Sequence, residues 1–316
     1  MKFFKETKID FIGKRKIAFI VSMVFIVVGI ISLVINKGPK YGIDFNGGVS
    51  LELNMTPLNE NANSIPPQEI RDVLDRDGIS DVNIQEISDS EGKELVLIKT
   101  QITETNGVKI TDRIKTSLRK NFPNNASSSD SLFIRLQEEV GPSIGSELKG
   151  KAFLAIFWSL FGIILYIWWR FQFTYGIVAV IALFHDILIT IGLFSIFGKE
   201  IGLTIVAALL TIVGYSLNDT IVVFDRIRED LKVYRRESYG SVINHSINET
   251  LSRTVITSLT TFIVVLSLYL FGGTVIHDFA FAILIGIIVG TYSSIFVASP
   301  LLVEYFSRTK DKTRKK

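Results

Sequence analysis

An apolar run at residues 201–224 contains an acidic side chain, Asp219, little more than one turn before its end. A run of this length is typical of a helix that crosses the hydrocarbon core of a membrane. An aspartate at the centre of such a helix costs about 2.5 to 3.5 kcal/mol, so it usually serves a function. Apolar residues from Ile221 to Phe224 follow it, which argues against a helix end fraying into the headgroups. Asp219 is therefore the first candidate functional residue.

Composition places the whole chain in the membrane class. Hydrophobic residues make up 48% of the sequence and are concentrated in long runs. The absence of cysteine excludes disulfides, thiol catalysis and cysteine-based metal sites. We expect six transmembrane helices, at residues 16–35, 152–168, 173–197, 201–224, 254–271 and 279–303.

The distribution of lysine and arginine predicts the orientation of these spans. The tail 1–15 with Lys16, the connection 225–253 and the tail 304–316 contain six basic residues each. The turns on the other side contain only Lys199. Both termini and the loop 225–253 are therefore expected in the cytoplasm, and residues 36–151 on the outer side. The net charge of only +3, with basic residues in tails and one loop, favours contact with anionic lipid and gives no nucleic-acid footprint.

Residues 36–151 have the pattern of a compact α+β domain. Strands are predicted at 49–53, 82–87, 94–100 and 132–136, because apolar residues alternate or cluster there. Helices are predicted at 67–77 and 108–122, and polar loops at 59–64 and 124–130. The order βαββαβ is that of a ferredoxin-like fold, in which two helices cover one face of an antiparallel sheet. The other face is then free for a partner.

Several short motifs, in this order and at these membrane positions, resemble those of the SecF family of protein-export subunits. The resemblance covers nearly the whole chain. The motifs are Gly42–Gly48 (GIDFNGG), Gly141–Leu148 (GPSIGSEL), His185-Asp186, Gly214–Thr220 (GYSLNDT) with Asp225–Glu229 (DRIRE), and Glu249–Thr254 (ETLSRT).

The resemblance implies an accessory subunit that pairs with SecD and uses the proton motive force in late steps of polypeptide translocation. It also implies half of the membrane plan of the RND superfamily, a bacterial inner-membrane location, and no enzymatic activity. The SecYEG channel with SecA and YajC, exported unfolded polypeptide and membrane lipids are the expected associates. No cofactor or metal is expected, and the coupling ion is expected to be a proton.

Helix geometry brings an acid and a base to the same depth. Asp219 and Arg253 each lie 18 residues from the outer end of their spans, which is about 27 Å at 1.5 Å per residue. Tyr215 and Ser216 share a stripe with Asp219, and Thr257, Thr260, Thr261 and Ser267 continue the stripe of Arg253. We assign proton coupling to Asp219 and Arg253, with Tyr215 and Asn218 beside them. A static ion pair that only fixes helix packing is the alternative.

His185 and Asp186 lie near the centre of the third span. A histidine beside a carboxylate is able to relay protons, and equally able to hydrogen-bond a neighbouring helix. We expect structural roles for the outer motif residues Gly42, Asp44, Gly47 and Gly48, with Asp44 capping a turn, and for Asp225 and Arg226 as interfacial anchors. Small residues at steps of four (Gly286, Gly290, Ser294 and Ala298) predict a close-packing ridge in the sixth span.

Two other function classes stay open at this point. Half of a pump for lipids or small amphiphiles is one, although a single small outer domain argues against it. An intramembrane aspartyl protease using Asp186 and Asp219 is the other, although the expected Gly-x-Gly-Asp element is missing. The stretch Gly145–Lys151 fits a phosphate loop only until Ala152, where Ser or Thr is required, so ATP binding is excluded.

Overall fold

The computed structural model describes residues 7–59, 63–88, 94–105, 107–170 and 173–314. Residues 1–6, 60–62 and 315–316, which belong to the predicted tails and one predicted loop, lie outside the described residues. The chain divides into two compact units, Tyr41–Leu154 and the combination of Met1–Lys40 with Ala155–Lys316.

The elements follow one another in the order α1 (Arg15–Ile35), α2 (Ile43–Asn46), β1 (Gly48–Asn54), α3 (Pro67–Arg76), β2 (Val82–Ser88), β3 (Glu94–Thr100), β4 (Glu104–Thr105), β5 (Val108–Lys109), α4 (Ile110–Asn121), α5 (Asp130–Phe133), β6 (Ile134–Val140), α6 (Pro142–Arg170), α7 (Phe173–Ile196), α8 (Leu203–Val233), α9 (Tyr239–Phe271), α10 (Gly273–Ser293) and α11 (Ser299–Arg314). A π-helical turn, Ser294–Ala298, joins α10 to α11.

Within the described residues, six helical stretches are long and apolar enough to cross a membrane: α1, α6, α7, α8, α9 and the continuous stretch Ile276–Arg308. This number agrees with the predicted fold class. Burial divides the six into two groups. More than half of the apolar window is buried in α7, α8 and the last stretch, against 17% or less in α1, α6 and α9. The centre of the membrane unit is therefore built from α7, α8 and α10.

The segment 225–253, predicted as the cytoplasmic loop between two spans, is mostly helical. Helix α8 continues to Val233, and α9 begins at Tyr239 after Ser238, whose hydroxyl accepts a hydrogen bond from the backbone N–H of Ser241 at 3.3 Å. Charged residues are frequent in this stretch. Several of them are spaced to pair along a helix, as Arg226 does with Asp230 at i, i+4. Charge therefore marks the end of the apolar run and not the end of the helix.

The segment before α1 is held by α9. The Asn244 side chain accepts from the N–H of Phe11 at 2.8 Å and donates to the carbonyl of Ile9 at 2.9 Å. Asn248 both accepts from the N–H and donates to the carbonyl of Ile9, each at 2.9 Å. Phe11 and Ile12 are buried. The described part of the predicted N-terminal tail is thus anchored to the membrane unit. At the other end, the predicted tail 304–316 is helical as far as Arg314.

The Tyr41–Leu154 unit has the predicted ferredoxin-like fold. Its four-stranded antiparallel sheet has the order β2-β3-β1-β6, with β1 between β3 and β6. Helices α3 and α4 contribute Ile70, Leu74, Ile114 and Leu118 to one core with apolar residues of the sheet. Helix α4 begins at Ile110 and not at 108, because Val108–Lys109 pairs with β4 in a two-residue ladder. The last strand is β6, Ile134–Val140, since residues 130–133 form the short helix α5.

Packing predicts how this domain responds to truncation of a core residue. Leu74 is fully buried between α3 and the sheet, so Leu74→Ala is expected to lower the free energy of unfolding of the domain by about 2 to 5 kcal/mol. Urea-dependent proteolysis of the detergent-solubilised protein measures this. Leu132, which is 66% exposed, is the matched control, and Leu132→Ala is expected to change stability by no more than about 0.5 kcal/mol. Equal effects of the two substitutions would contradict the assigned core.

Candidate functional site: buried carboxylates between the spans

Asp186 of α7, with 1% of its surface exposed, is more deeply buried than Asp219, the other candidate carboxylate within the apolar runs. Its Oδ2 accepts hydrogen bonds from Ser216 of α8 at 2.5 Å and from Ser293 of α10 at 2.9 Å. Its Oδ1 lies 2.9 Å from Nδ1 of His185. Three helices therefore meet at one carboxylate.

His185 extends this cluster to α1. Its Nε2 lies 3.0 Å from the hydroxyl of Ser22, and Ser22 lies 3.2 Å from the phenolic oxygen of Tyr292. Tyr292 donates to the backbone carbonyl of Ala18 at 2.7 Å. The imidazole also stacks on the Tyr292 ring, with the ring centroids 6.2 Å apart. We call Ser22, His185, Asp186, Ser216, Tyr292 and Ser293 the Asp186 cluster.

Asp219 of α8 is 3% exposed and has a smaller set of partners. Ser258 of α9 donates to its Oδ2 at 3.2 Å, and the Ser258 hydroxyl also lies 2.7 Å from Thr291 of α10. No other hydrogen bond to the Asp219 carboxylate is found among the described residues. The Asp219 cluster (Asp219, Ser258 and Thr291) therefore joins α8, α9 and α10 through a single hydroxyl on the carboxylate.

The two clusters are neighbours because they share α8 and α10. Ser216 and Asp219 lie three residues apart and are both buried. Gly290 allows α10 to approach here, since a Cβ at that position would lie 3.0 Å from Cβ of Ser216. A Cβ at Gly286 would collide with Ile212 one turn away. The predicted small-residue ridge is thus confirmed at its two glycines, and its partner is α8 of the same chain.

Arg253 forms no ion pair with Asp219 within 4 Å, and both residues are described. Its side chain is exposed. The static ion pair considered from the sequence is therefore absent from this structure. Asn218 is exposed on α8. The hydroxyls of Tyr215 on α8 and Thr254 on α9 are buried without a hydrogen-bond partner in the described part of the chain.

The polar stripe predicted on α9 is displaced by one position. The hydroxyls of Thr257, Thr260, Thr261 and Ser267 donate back to carbonyls of their own helix. Thr254 and Ser258, four residues apart, are the buried pair that faces the bundle.

Sequence reasoning missed Ser258, Thr291, Ser293, Tyr292 and Ser22. An i, i+4 spacing of hydroxyls was a usable signal for Ser258, whereas nothing in the sequence links Ser22 to His185.

Asp186 and Asp219 bond to different serines, and no hydrogen bond connects the two carboxylates. Aspartic proteases need two carboxylates that share a proton, about 3 Å apart. The geometry therefore does not favour the protease alternative.

A third charged cluster lies where α8 and α9 extend beyond the apolar runs. Arg226 contacts Asp230 at 3.1 Å and Glu229 at 3.2 Å, and also pairs with Glu249 of α9. Asp230 is 1% exposed and accepts from Ser246 at 2.7 Å. Arg226, predicted as an interfacial anchor, thus has protein partners on both helices.

The same cluster contains three side chains whose spacing would suit a metal ion, but the positive charge of Arg226 already balances two of them. Asp230, His245 and Glu249 have ligand atoms within 4.8 Å of one another. The guanidinium of Arg226 lies against both carboxylates, so the group is an ion-pair network. Asp225 forms a separate pair with Arg170 of α6 at 3.4 Å.

The motif around Gly42 forms the entry to the ferredoxin-like domain. Gly42 precedes the single-turn helix α2, and Asp44 lies in its first turn. Gly47 has φ +76° and Gly48 has φ +135°, conformations that favour glycine. A Cβ on Gly47 would lie 2.8 Å from Cα of Pro142, and one on Gly48 would collide with the backbone of Thr100. These glycines therefore have packing roles in the domain.

Fold and site together define a class: a polytopic membrane protein with carboxylates buried between its spans and one ferredoxin-like domain. Residues 114–308 match the family model described as "Protein export membrane protein SecD/SecF, C-terminal". Protein translocase subunit SecF of Calditerrivibrio nitroreducens is 45% identical over 94% of this chain and 94% of its own length. The subunit of the same name from Thermodesulfovibrio yellowstonii is 44% identical over 94% and 95%.

Solved structures agree with these relatives. The crystal structure of SecDF from Thermus thermophilus matches 96% of this chain with a TM-score of 0.80 and 36% identity. The match covers 39% of that longer chain. The present chain belongs to the SecF family of protein translocase subunits. It is a multi-pass protein of the bacterial inner membrane with an RND-like arrangement of its spans.

The Arg226 network predicts a loss of stability when its cation is removed. Arg226→Met leaves buried Asp230 with Ser246 alone, so we expect the free energy of unfolding to fall by about 1 to 3 kcal/mol. Arg308 pairs with Glu304 on an exposed surface, and Arg308→Met is expected to cost less than about 1 kcal/mol. Denaturant unfolding in detergent measures both variants. An Arg226→Met variant as stable as Arg308→Met would show that the network contributes nothing.

Proposed function

We propose that this chain promotes polypeptide export as the SecF subunit of a translocase that contains SecD, and that proton movement through Asp219 drives it. Relatives that are 44% and 45% identical over nearly the full length are protein translocase subunits SecF, which supports the export role. The solved relatives contain both subunits in one SecDF chain, which supports SecD as the companion. SecYEG with SecA and YajC would be the surrounding assembly.

The observation that carries the proton role is the incomplete set of partners around Asp219. A carboxylate in hydrocarbon is costly unless several donors or a countercharge satisfy it. Asp219 receives one hydrogen bond, at 3.2 Å, from a neutral hydroxyl, and Arg253 is outside ion-pair distance. This environment suits the protonated acid. Approach of Arg253 would suit the anion, because an opposite charge stabilises the ionised form.

Motion of α9 along α8 would exchange these two environments. Ser258 and Arg253 are both on α9, five residues apart, so a shift or rotation of that helix changes which of them faces Asp219. Helix α9 is only 17% buried within its apolar window, whereas α8 is central. The buried hydroxyls of Tyr215 and Thr254 support a second arrangement, because a buried polar group without a partner costs about 1 to 3 kcal/mol. Bound water or a shifted helix would satisfy them.

Energy from the proton gradient is sufficient for such a switch. One charge crossing 100 mV supplies about 2.3 kcal/mol, which biases a two-state equilibrium by more than about tenfold. In this proposal both termini lie in the cytoplasm, and the ferredoxin-like domain lies on the outer side, where the polypeptide emerges. The sheet face of this domain that is not covered by α3 and α4 is the surface we assign to SecD or the polypeptide.

A pump for amphiphiles is the weaker candidate, because a single domain, Tyr41–Leu154, leaves no second porter-like subdomain.

Export measurements on charge-removing variants test this proposal. In cells or inverted vesicles, Asp219→Asn and Arg253→Met are expected to reduce gradient-dependent stimulation of a secreted reporter to the level seen after the gradient is dissipated. The physical reason is that Asn cannot bind and release a proton and Met cannot stabilise the anion.

Asp225→Asn is the matched control, because it makes the same change on the same helix at a pair that is about 40% exposed. We expect near wild-type stimulation from it. Wild-type stimulation in Asp219→Asn would refute the proton role while leaving membership of the export machinery intact.

A further inference from the structure

We infer that His185 and Asp186 form a net-neutral hydrogen-bond junction that positions α8 and α10 around Asp219 and does not itself carry the transported proton. This inference rests on the proposed role of Asp219. It replaces the relay role considered from the sequence with a positioning role. In the Asp186 cluster, the donor and the acceptor of each hydrogen bond can be assigned in turn, from Tyr292 to Asp186.

The direction is set at the Tyr292 end. Tyr292 has one hydroxyl proton, and it is donated to the carbonyl of Ala18 at 2.7 Å. Ser22 must therefore be the donor in its 3.2 Å contact with Tyr292. With its proton used there, Ser22 accepts from His185, so Nε2 of His185 carries a hydrogen.

The other end is set by two serines. Within the described residues, the Ser216 hydroxyl bonds only to Asp186, at 2.5 Å, and Ser293 lies nearer to Asp186 than to the carbonyl of Gly290, 2.9 Å against 3.2 Å. Both therefore donate to Oδ2 of Asp186. One proton remains to be placed, in the 2.9 Å contact between Oδ1 of Asp186 and Nδ1 of His185.

Both positions of that proton give the same net charge. On Nδ1 it makes an imidazolium paired with a carboxylate, and on Oδ1 it makes a neutral imidazole beside a neutral acid. Removing it would leave an uncompensated negative charge, and adding another would leave a positive one, on two side chains that are 1% and 6% exposed. Tyr292 is the only other titratable group in direct contact with the pair, and no lysine, arginine or further carboxylate contacts it from α1, α8 or α10 among the described residues. The pair therefore keeps its proton count.

What the junction does is mechanical. Ser216 and Ser293 belong to the two helices that also carry Asp219 and Thr291, so one oxygen of Asp186 holds α8 and α10 together one turn from the Asp219 cluster. The close approach at Gly290 and Ser216 lies at the same level. Asp186 is thus a positioning residue for Asp219.

Asparagine distinguishes positioning from proton transport at this site. In Asp186→Asn the amide oxygen accepts from Ser216 and Ser293, and the amide nitrogen donates to Nδ1 of a neutral His185. All three hydrogen bonds persist, but the side chain can no longer exchange a proton. In Asp186→Ala all three are lost; the buried Ser216 hydroxyl is left without a partner, and Ser293 keeps only its 3.2 Å contact with the carbonyl of Gly290.

Export assays on the full chain with its companion test this directly. We expect Asp186→Asn to retain at least about half of the gradient-dependent stimulation, because its three hydrogen bonds persist. Asp186→Ala is expected to fall to the gradient-independent level. Ser195→Ala is the matched control, since Ser195 is a buried serine of the same helix that bonds Ser32 and Asn36 away from the cluster. It should remain at the wild-type level.

Two outcomes overturn the inference. If Asp186→Asn is as inactive as Asp186→Ala, the carboxyl carries a proton. If Asp186→Ala is fully active, the junction positions nothing. Should Asp186→Ala fail to accumulate in the membrane, Ser293→Ala takes its place, with reduced stimulation expected and wild-type stimulation contradicting the role.

A cross-linking measurement keeps this result separate from the proposed function. The chain contains no cysteine, so Ile212→Cys with Gly286→Cys introduces a single pair at a close approach of α8 and α10. We expect oxidative cross-linking to be unchanged by Asp186→Asn and several-fold lower with Asp186→Ala. Unchanged cross-linking in both Asp186→Asn and Asp186→Ala would refute the positioning role, whatever the role of Asp219. Wild-type export in Asp219→Asn would refute only the proton role of Asp219.

Discussion

A carboxylate between membrane spans must find its hydrogen-bond donors within the protein, because the hydrocarbon offers none. This constraint explains the centre of the membrane unit. Asp186 draws serines from α8 and α10 to α7, and Asp219 draws a serine from α9 to α8. The most buried helices are those that supply or surround these groups. Helix packing here is therefore organised around two acids and six hydroxyl-bearing residues as well as around apolar contacts.

The two acids differ in how completely they are satisfied, and this difference suggests a division of roles. Asp186 has three partners, and one of them is an imidazole that is able to compensate its charge. Asp219 has one neutral partner, and Arg253 forms no ion pair with it. A carboxylate with a full set of hydrogen-bond partners stabilises one arrangement of the helices around it. A carboxylate with few partners is stabilised when the helices move to a second arrangement that supplies more. On this view α7, α8 and α10 form the fixed part, and α9 is the helix whose position responds to the proton.

The fold was largely predictable from the sequence because apolar runs and alternating strands report burial directly. The six spans and the βαββαβ order follow from these patterns. Helix ends were less accessible, since the charges beyond Phe224 pair along the helix and extend it to Val233. The acids of the site were found because a charge inside an apolar run is conspicuous. Their partners were not, because periodicity gives the face of a helix but not the neighbour it meets: Thr257 was selected where Ser258 makes the contact, and Ser22 lies 163 residues from His185.

Infrared difference spectroscopy of the purified protein in lipid, recorded across a change of pH, tests the central claim most directly. If Asp219 takes up and releases a proton while the His185–Asp186 pair keeps its own, acidification adds to the signal of the exposed acids a protonated-carboxyl band that is missing in Asp219→Asn and retained in Asp186→Asn. A band that survives Asp219→Asn and disappears in Asp186→Asn would contradict the account and assign the exchangeable proton to the junction.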